Sequence, residues 1–138
     1  KELIMAAYGI GPAGVTAITP AARDPYVKLG KIEVADGATG FAAFGLPKNA
    51  VVVGVYTISA GANATQTINV GFTNGGVELV SAFAPNSTGY AASGAQTGAS
   101  VGVQLTADKT VYLKASATLT NPVIVKVEYI VPPVGLSL

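Results

Sequence analysis

The stretch LPKNAVVVGVYTISAGANATQTINVGF, from Leu46 to Phe72, decides the fold of this chain. It is rich in β-branched residues, and its single charged residue, Lys48, stands near its start. β-Branched side chains favour strands because they pack well on a pleated surface. The small residues of Gly61–Ala64 interrupt the pattern and predict a turn. The stretch therefore predicts two consecutive strands with no visible catalytic chemistry on them.

The two predicted strands differ in how their side chains alternate. Both faces of the first strand, Ala50–Ile58, carry apolar residues, so we expect both faces to be covered and Val53 to be buried. An Asp at Val53, or at Val125 in the last predicted strand, would then bury an unpaired charge and prevent folding. The second strand, Thr65–Thr73, alternates apolar and polar residues and predicts one buried face.

Similar segments continue in both directions along the chain. Further strands are predicted at Tyr26–Asp36, with a mixed pattern typical of a sheet edge, and at Val77–Phe83, Val101–Thr106, Val111–Ala115 and Val123–Ile130. Asn74–Gly76 is a hairpin signal because Asn and Gly accept positive φ, and residues 84–98 read as a long polar loop. About seven strands without a convincing helix predict an all-β protein, a single antiparallel, jelly-roll-like β-sandwich.

The domain organisation follows from where this pattern begins and ends. A chain of 138 residues fits one domain, which we place at residues 26–132. Residues 1–25 are punctuated by Gly and Pro and predict an extended, apolar N-terminal arm; residues 133–138 form a short C-terminal tail. GIGPAG, Gly9–Gly14, matches the dinucleotide-binding fingerprint, but no strand precedes it and Pro12 lies inside it. We therefore interpret it as part of the arm.

The composition indicates association with protein rather than with nucleic acid or membrane. Charged residues make up 11% of the chain and its net charge is +1, whereas about 25% charged residues is typical of soluble domains. So small a net charge favours association, and the chain lacks the clustered cations that binding to nucleic acid requires. No apolar run reaches the length of a membrane helix.

The residues also argue against an enzyme. The chain has no cysteine and no histidine, which removes thiolate chemistry, the usual general base and the commonest transition-metal ligand. No spacing brings its acidic residues together, so we predict no catalytic, cofactor or metal site. Asn63-Ala64-Thr65 and Asn86-Ser87-Thr88 match the glycosylation sequon, a match expected by chance in a chain of this composition.

The candidate functional residues are therefore contact residues. Tyr90 is an aromatic side chain within the small-residue loop, a pattern that suits a contact anchor. The arm supplies the other apolar candidates, and we predict that it lies on its own domain or on a neighbour. The predicted interface residues are Leu3, Ile4, Tyr8, Ile10 and Tyr90.

Three segments carry a resemblance to a known family. They are LPKNAVVVGVYTISA at Leu46–Ala60, TINVGFTNGG at Thr67–Gly76 and TADKTVYLKASATLTNPVIVKVEYIVP at Thr106–Pro132. In their order they resemble tailed-phage head decoration (capsid cement) proteins with a jelly-roll or related β-sandwich domain, over about residues 26–132. The resemblance implies a non-enzymatic virion subunit, often a homotrimer, on the outer surface of the capsid. Its partners would be itself and the major capsid protein, with assembly in the host cytoplasm and no small-molecule substrate.

Two other functions fit the same residues. A filament, fibre or tail subunit would use the sandwich and the arm to polymerise by itself. A carbohydrate-binding module would use Tyr90 and the surrounding Asn, Ser and Thr residues as its site.

Overall fold

The computed structural model describes residues 26–85, 89–92 and 98–133. Within these ranges the chain forms eight strands and one short 3-10 turn, Val34–Asp36. The strands are β1 (Tyr26–Ile32), β2 (Phe41–Leu46), β3 (Val51–Ser59), β4 (Ile68–Gly71), β5 (Val80–Phe83), β6 (Gly89–Ala92), β7 (Lys109–Ala115) and β8 (Val123–Ile130). The predicted arm, residues 1–25, and residues 134–138 of the predicted tail lie outside the described residues.

The strands form two four-stranded sheets packed against each other. The order is β1-β8-β3-β6 in the first sheet and β2-β7-β4-β5 in the second, and every pairing is antiparallel. Along the described strands the chain stays in one sheet between β4 and β5 and changes sheet at each of the other six connections, the pattern of a double Greek key. This is jelly-roll topology. The prediction of an all-β, antiparallel, jelly-roll-like sandwich is confirmed.

The core lies between the sheets, and β7 and β8 show most clearly how the sequence builds it. Alternate residues of both strands point inward, as their period-2 pattern predicts. The inward residues of these two strands are Val111, Leu113, Ala115, Val123, Val125, Val127 and Tyr129. They meet buried residues of the other strands, among them Ile32, Leu46, Val52, Val55, Ile68, Val70 and Val80. Full burial of each such side chain contributes roughly 1.5–3 kcal/mol.

β1 lies close over the second sheet because it has no side chain at Gly30. A Cβ atom at this position would lie 2.8 Å from Leu113 Cδ1 and 3.0 Å from Ala43 Cβ. Glycine therefore allows the edge strand of the first sheet to approach the facing sheet at the level of β2 and β7.

β3 departs from the predicted alternation at one residue. Its register with β8 runs from the Val52–Tyr129 pair to the Gly54–Glu128 pair, so Val53 is an extra residue in a β-bulge. Val52 is fully buried, whereas Val53 is 43% exposed. The prediction that Val53 is buried is wrong, because the inserted residue breaks the period-2 pattern.

Three further segments differ from their predictions. β2 was not predicted at all. The predicted loop 84–98 contains β6, which pairs with the second half of β3. The predicted strand Val101–Thr106 is not a strand; it makes turns and a single bridge between Gln104 and Val51. The Gly102 N–H donates to the Val52 carbonyl at 2.9 Å, so this segment lies along the first half of β3.

The predicted turn at Asn74–Gly76 connects β4 and β5, which pair with each other. Gly75 has a φ of 86°, a conformation that glycine adopts readily. The Gly76 N–H donates to the Thr73 carbonyl at 2.8 Å and closes the turn.

Candidate interaction surface

The structure describes one of the five predicted interface residues. Tyr90 is the second residue of β6 and the register partner of Ile58 in β3. It therefore lies in an edge strand of the first sheet, not in a loop as predicted. The other four, Leu3, Ile4, Tyr8 and Ile10, lie outside the described residues.

Among the described residues, β1 forms one edge of the first sheet. It pairs with β8 over seven residues, and no strand among the described residues pairs with its other side. Such an edge presents unpaired backbone donors and acceptors to another chain. Lys28 and Lys31 on this strand are the kind of residue that limits uncontrolled edge pairing. The prediction of an edge strand here is confirmed.

The outer face of the first sheet brings apolar side chains from three strands together. The register places Leu29, Lys126 and Tyr56 in one cross-strand row and Lys31, Ile124 and Ile58 in the next. Leu29 is 60% exposed and Val27, two residues earlier on the same face, is 49% exposed. We call this surface the apolar face; its residues are Val27, Leu29, Tyr56, Ile58 and Ile124.

The charges within the apolar face are paired inside the chain. Lys126 Nζ lies 3.0 Å from Glu128 Oε2 and 4.8 Å from the centroid of the Tyr56 ring. At the rim, Lys31 Nζ lies 3.4 Å from Glu33 Oε2. A partner on this face therefore has no need to supply a complementary charge, and packing of apolar surface would dominate its binding.

The outer face of the second sheet has a different character. Asn69 of β4 and Lys114 of β7 are register partners there, and Thr110 is exposed on the same side of β7. The Asn69 Oδ1 accepts a hydrogen bond from the Ala82 N–H at 2.8 Å. The two outer faces of the sandwich thus differ: the second sheet carries Thr110, Lys114 and Asn69 beside Tyr112, and the first carries the apolar face.

A tyrosine pair holds the first residue of β1 in place. The rings of Tyr26 and Tyr129 stack, with their centroids 5.3 Å apart and their planes at 27°. Burial, and to a smaller extent the neighbouring Tyr26, raises the pKa of the Tyr129 phenol above its ordinary value. The phenol therefore stays neutral near pH 7, and the stack fixes the point where residues 1–25 join the sheet.

The other chemistry of the described residues is limited. Within ranges 26–85, 89–92 and 98–133, no three His, Cys, Asp or Glu side chains form a group that could hold a metal ion. The described part of the chain has no helix with the length and hydropathy needed to cross a membrane. What these residues do offer is an apolar surface, a strand edge and a polar cavity.

Comparison with known proteins identifies structural neighbours only. No family model and no curated protein matches the sequence. A chain of the cyanophage Pam1 capsid asymmetric unit matches the structure with a TM-score of 0.55 at 22% identity, covering 88% of this chain and 97% of that chain. A chain of the acidic stable capsid structure of Helicobacter pylori bacteriophage KHP30 matches with a TM-score of 0.55 at 16% identity, covering 80% and 90%. The jelly-roll sandwich described above is therefore a fold that also occurs in two phage capsids.

Proposed function

We propose that this protein is a non-enzymatic virion structural protein that decorates and stabilises a phage capsid by binding the outer surface of its capsid subunits. The observation that carries the proposal is the match to the Pam1 capsid chain, which spans 97% of that chain. Almost all of that chain is matched by 88% of this one, so the two chains are similar in size. A small, single-domain capsid component suits a role added to a shell rather than the role of the shell itself.

The apolar face and the edge of β1 are the surfaces we assign to the contact with the major capsid protein. Leu29 and Val27 lie on that face beside this edge, so one partner could bury the side chains and pair with the backbone together. Because Lys126 is paired with Glu128, a partner would cover an ion pair rather than an isolated charge, which lowers the cost of burial. Many copies on one shell would add weak individual contacts into a stable layer.

Leu29→Lys tests the apolar face. The variant should fold like the wild type because Leu29 is 60% exposed, but it should bind capsids assembled without this subunit at least about tenfold more weakly, since Leu burial is worth roughly 1.5–3 kcal/mol. The matched control is Thr110→Lys, which adds the same charge to the outer face of the second sheet. Sedimentation with capsids measures both. Equal binding by the two variants would contradict the assignment of this face.

Deleting residues 1–20 tests the predicted arm. The shortened chain should keep a cooperatively melting sandwich, because β1 begins at Tyr26 and its register with β8 starts there. It should bind capsids more weakly, since an apolar arm supplies contacts to neighbouring subunits. Thermal melting and capsid sedimentation measure the two effects. A truncated chain that fails to fold would mean that the arm belongs to the core of the domain.

The mass of the purified chain in solution, measured by light scattering, separates decoration from polymerisation. A discrete trimer is the result expected of a closed unit that docks on a larger shell. Open-ended polymers, lost when residues 1–20 are deleted, would instead favour the filament, fibre or tail subunit and overturn the proposal.

A further inference from the structure

A second feature lies away from the apolar face, where the β4–β5 connection meets the segment that leads into β7. A cavity of about 480 Å³ opens there, within the range of about 300–1,000 Å³ usual for small-molecule sites. Its wall combines an aromatic ring, a carboxylate, an ammonium group, an amide and hydroxyls. The side chains that supply them are Phe72, Thr73, Glu78, Gln104, Thr106 and Lys109.

The carboxylate of Glu78 has a fixed position in this wall. Its Oε1 accepts a hydrogen bond from the Phe72 N–H at 2.8 Å. Gly71 and Gly76 pack against the same oxygen, and a Cβ atom at either glycine would overlap with it. The two glycines therefore leave a niche for the carboxylate, and the backbone orients it. An acceptor held in this way loses little conformational entropy when it binds a ligand.

The cavity wall also supplies hydrogen-bond donors. Lys109 Nζ lies 5.8 Å from the centroid of the Phe72 ring, near the outer limit of a cation–π contact. Lys109 takes part in neither of the two ion pairs found among the described residues. Gln104 also lines the cavity, and its Nε2 donates to the Asn49 carbonyl at 3.3 Å. The cavity wall thus combines an anchored acceptor, an ammonium donor and an apolar ring.

This combination selects among ligand classes. A phosphate or other anion would meet the Glu78 carboxylate, and a purely apolar ligand would leave both charged groups desolvated without partners. A neutral polyol gives the carboxylate, the ammonium group and the amide each a hydrogen-bond partner, because each hydroxyl can donate to a carboxylate and accept from an ammonium or amide group. A ring with an apolar C–H side can also pack against Phe72.

We propose that this cavity binds a neutral saccharide, with one sugar ring against Phe72 and its hydroxyls shared between Glu78 and Lys109. Jelly-roll domains occur in lectins as well as in capsids. The site does not overlap the apolar face, so a subunit seated on a capsid could keep it open toward the surroundings. The proposal stands on the cavity alone and does not require the decorating role.

The test is a titration of the full-length, isotope-labelled protein with neutral sugars, followed by NMR. The probes are the methyl glycosides of glucose, galactose and mannose, and N-acetylglucosamine, each to about 50 mM, which also detects binding with a dissociation constant in the millimolar range. At least one sugar should shift amide signals of Phe72, Glu78 and Lys109. Glu78→Gln keeps an acceptor for the Phe72 N–H but removes the charge, and it should weaken binding about tenfold. Phe72→Leu should weaken it by a similar factor.

Glu128→Gln is the matched control, because it makes the same chemical change on the outer face of the first sheet, outside the cavity. Its binding should equal that of the wild type. Thermal melting of every variant shows whether it is folded. The proposal is overturned if no sugar in the set shifts any cavity residue, or if the shifts fall elsewhere, or if folded Glu78→Gln and Phe72→Leu proteins bind as the wild type does.

Discussion

Replacing Val125 by Asp should leave the chain unfolded under conditions in which the wild-type protein melts cooperatively. Val125 has an exposed fraction of 0% and lies near the middle of β8, between Gly30 of β1 and Thr57 of β3. The change forfeits roughly 1.5–3 kcal/mol of apolar burial. The carboxylate must also be protonated or buried without a cation, and each unit by which its pKa rises costs about 1.4 kcal/mol. With a rise of several units, the total approaches the roughly 5–15 kcal/mol that holds a domain together.

Val53→Asp is the matched control for this change. Val53 is the extra residue of the β3 bulge and is 43% exposed, so its carboxylate would reach water. Its cost should be about 1 kcal/mol or less. Circular dichroism during thermal melting measures both variants. A soluble Val125→Asp protein with a cooperative transition would refute the placement of β8 in the core, and a Val53→Asp protein that is unfolded would refute the bulge.

Val125 and Val53 also show when the alternation of residues along a strand predicts which side chains are buried. β7 and β8 keep an unbroken period of two over seven and eight residues, and their buried faces follow from the sequence. β3 and β2 do not, because each contains an irregularity in its pairing: at Val52/Gly54 in β3 and at Ala42/Phe44 in β2. An inserted residue reverses the alternation after it, and nothing in the local composition marks where that occurs.

At Val101–Thr106 the error is of the opposite kind: a strand was predicted where none forms. Its apolar residues alternate like those of a strand, but Gly102 has a φ of 80° and the chain turns there. Leu105 is buried, and its N–H donates at 2.9 Å to the carbonyl of Ala50, the residue before β3. The alternating pattern thus correctly indicated that this segment packs on the sandwich, but it wrongly predicted that the segment is a strand.

The apolar face was only partly predictable for a different reason. The sequence places Val27 and Leu29 on one side of an edge-like strand, and this signal could have marked them as contact residues. Their neighbours Tyr56 and Ile124 come from strands far along the chain. Register between distant strands is set by the whole topology, so the pattern of one strand cannot predict which rows meet. The interface residues predicted from the sequence were instead those of the arm and Tyr90.

Asn63 is a further residue whose role the sequence concealed. It belongs to a glycosylation sequon, yet its exposed fraction is 0%, which leaves its side chain inaccessible to a modifying enzyme in the folded protein. Its Oδ1 accepts hydrogen bonds from the Thr120 and Asn121 N–H groups, both at 2.9 Å. Its own N–H donates to the Pro85 carbonyl at 3.0 Å. One asparagine therefore joins the β3–β4, β5–β6 and β7–β8 connections at the same end of the sandwich.

Asn63→Ala should accordingly be the most destabilising change outside the apolar core. It leaves two part-buried N–H groups without an acceptor, at about 1–3 kcal/mol each. For a chain of this size the sum corresponds to a fall in Tm of about 10 °C or more. Asn121→Ala is the matched control, because it removes an exposed bond to the Ala62 carbonyl that water can replace. If Asn63→Ala melts at the same temperature as Asn121→Ala, the Asn63 side chain does not hold these connections together, and backbone bonds such as that to Pro85 are sufficient.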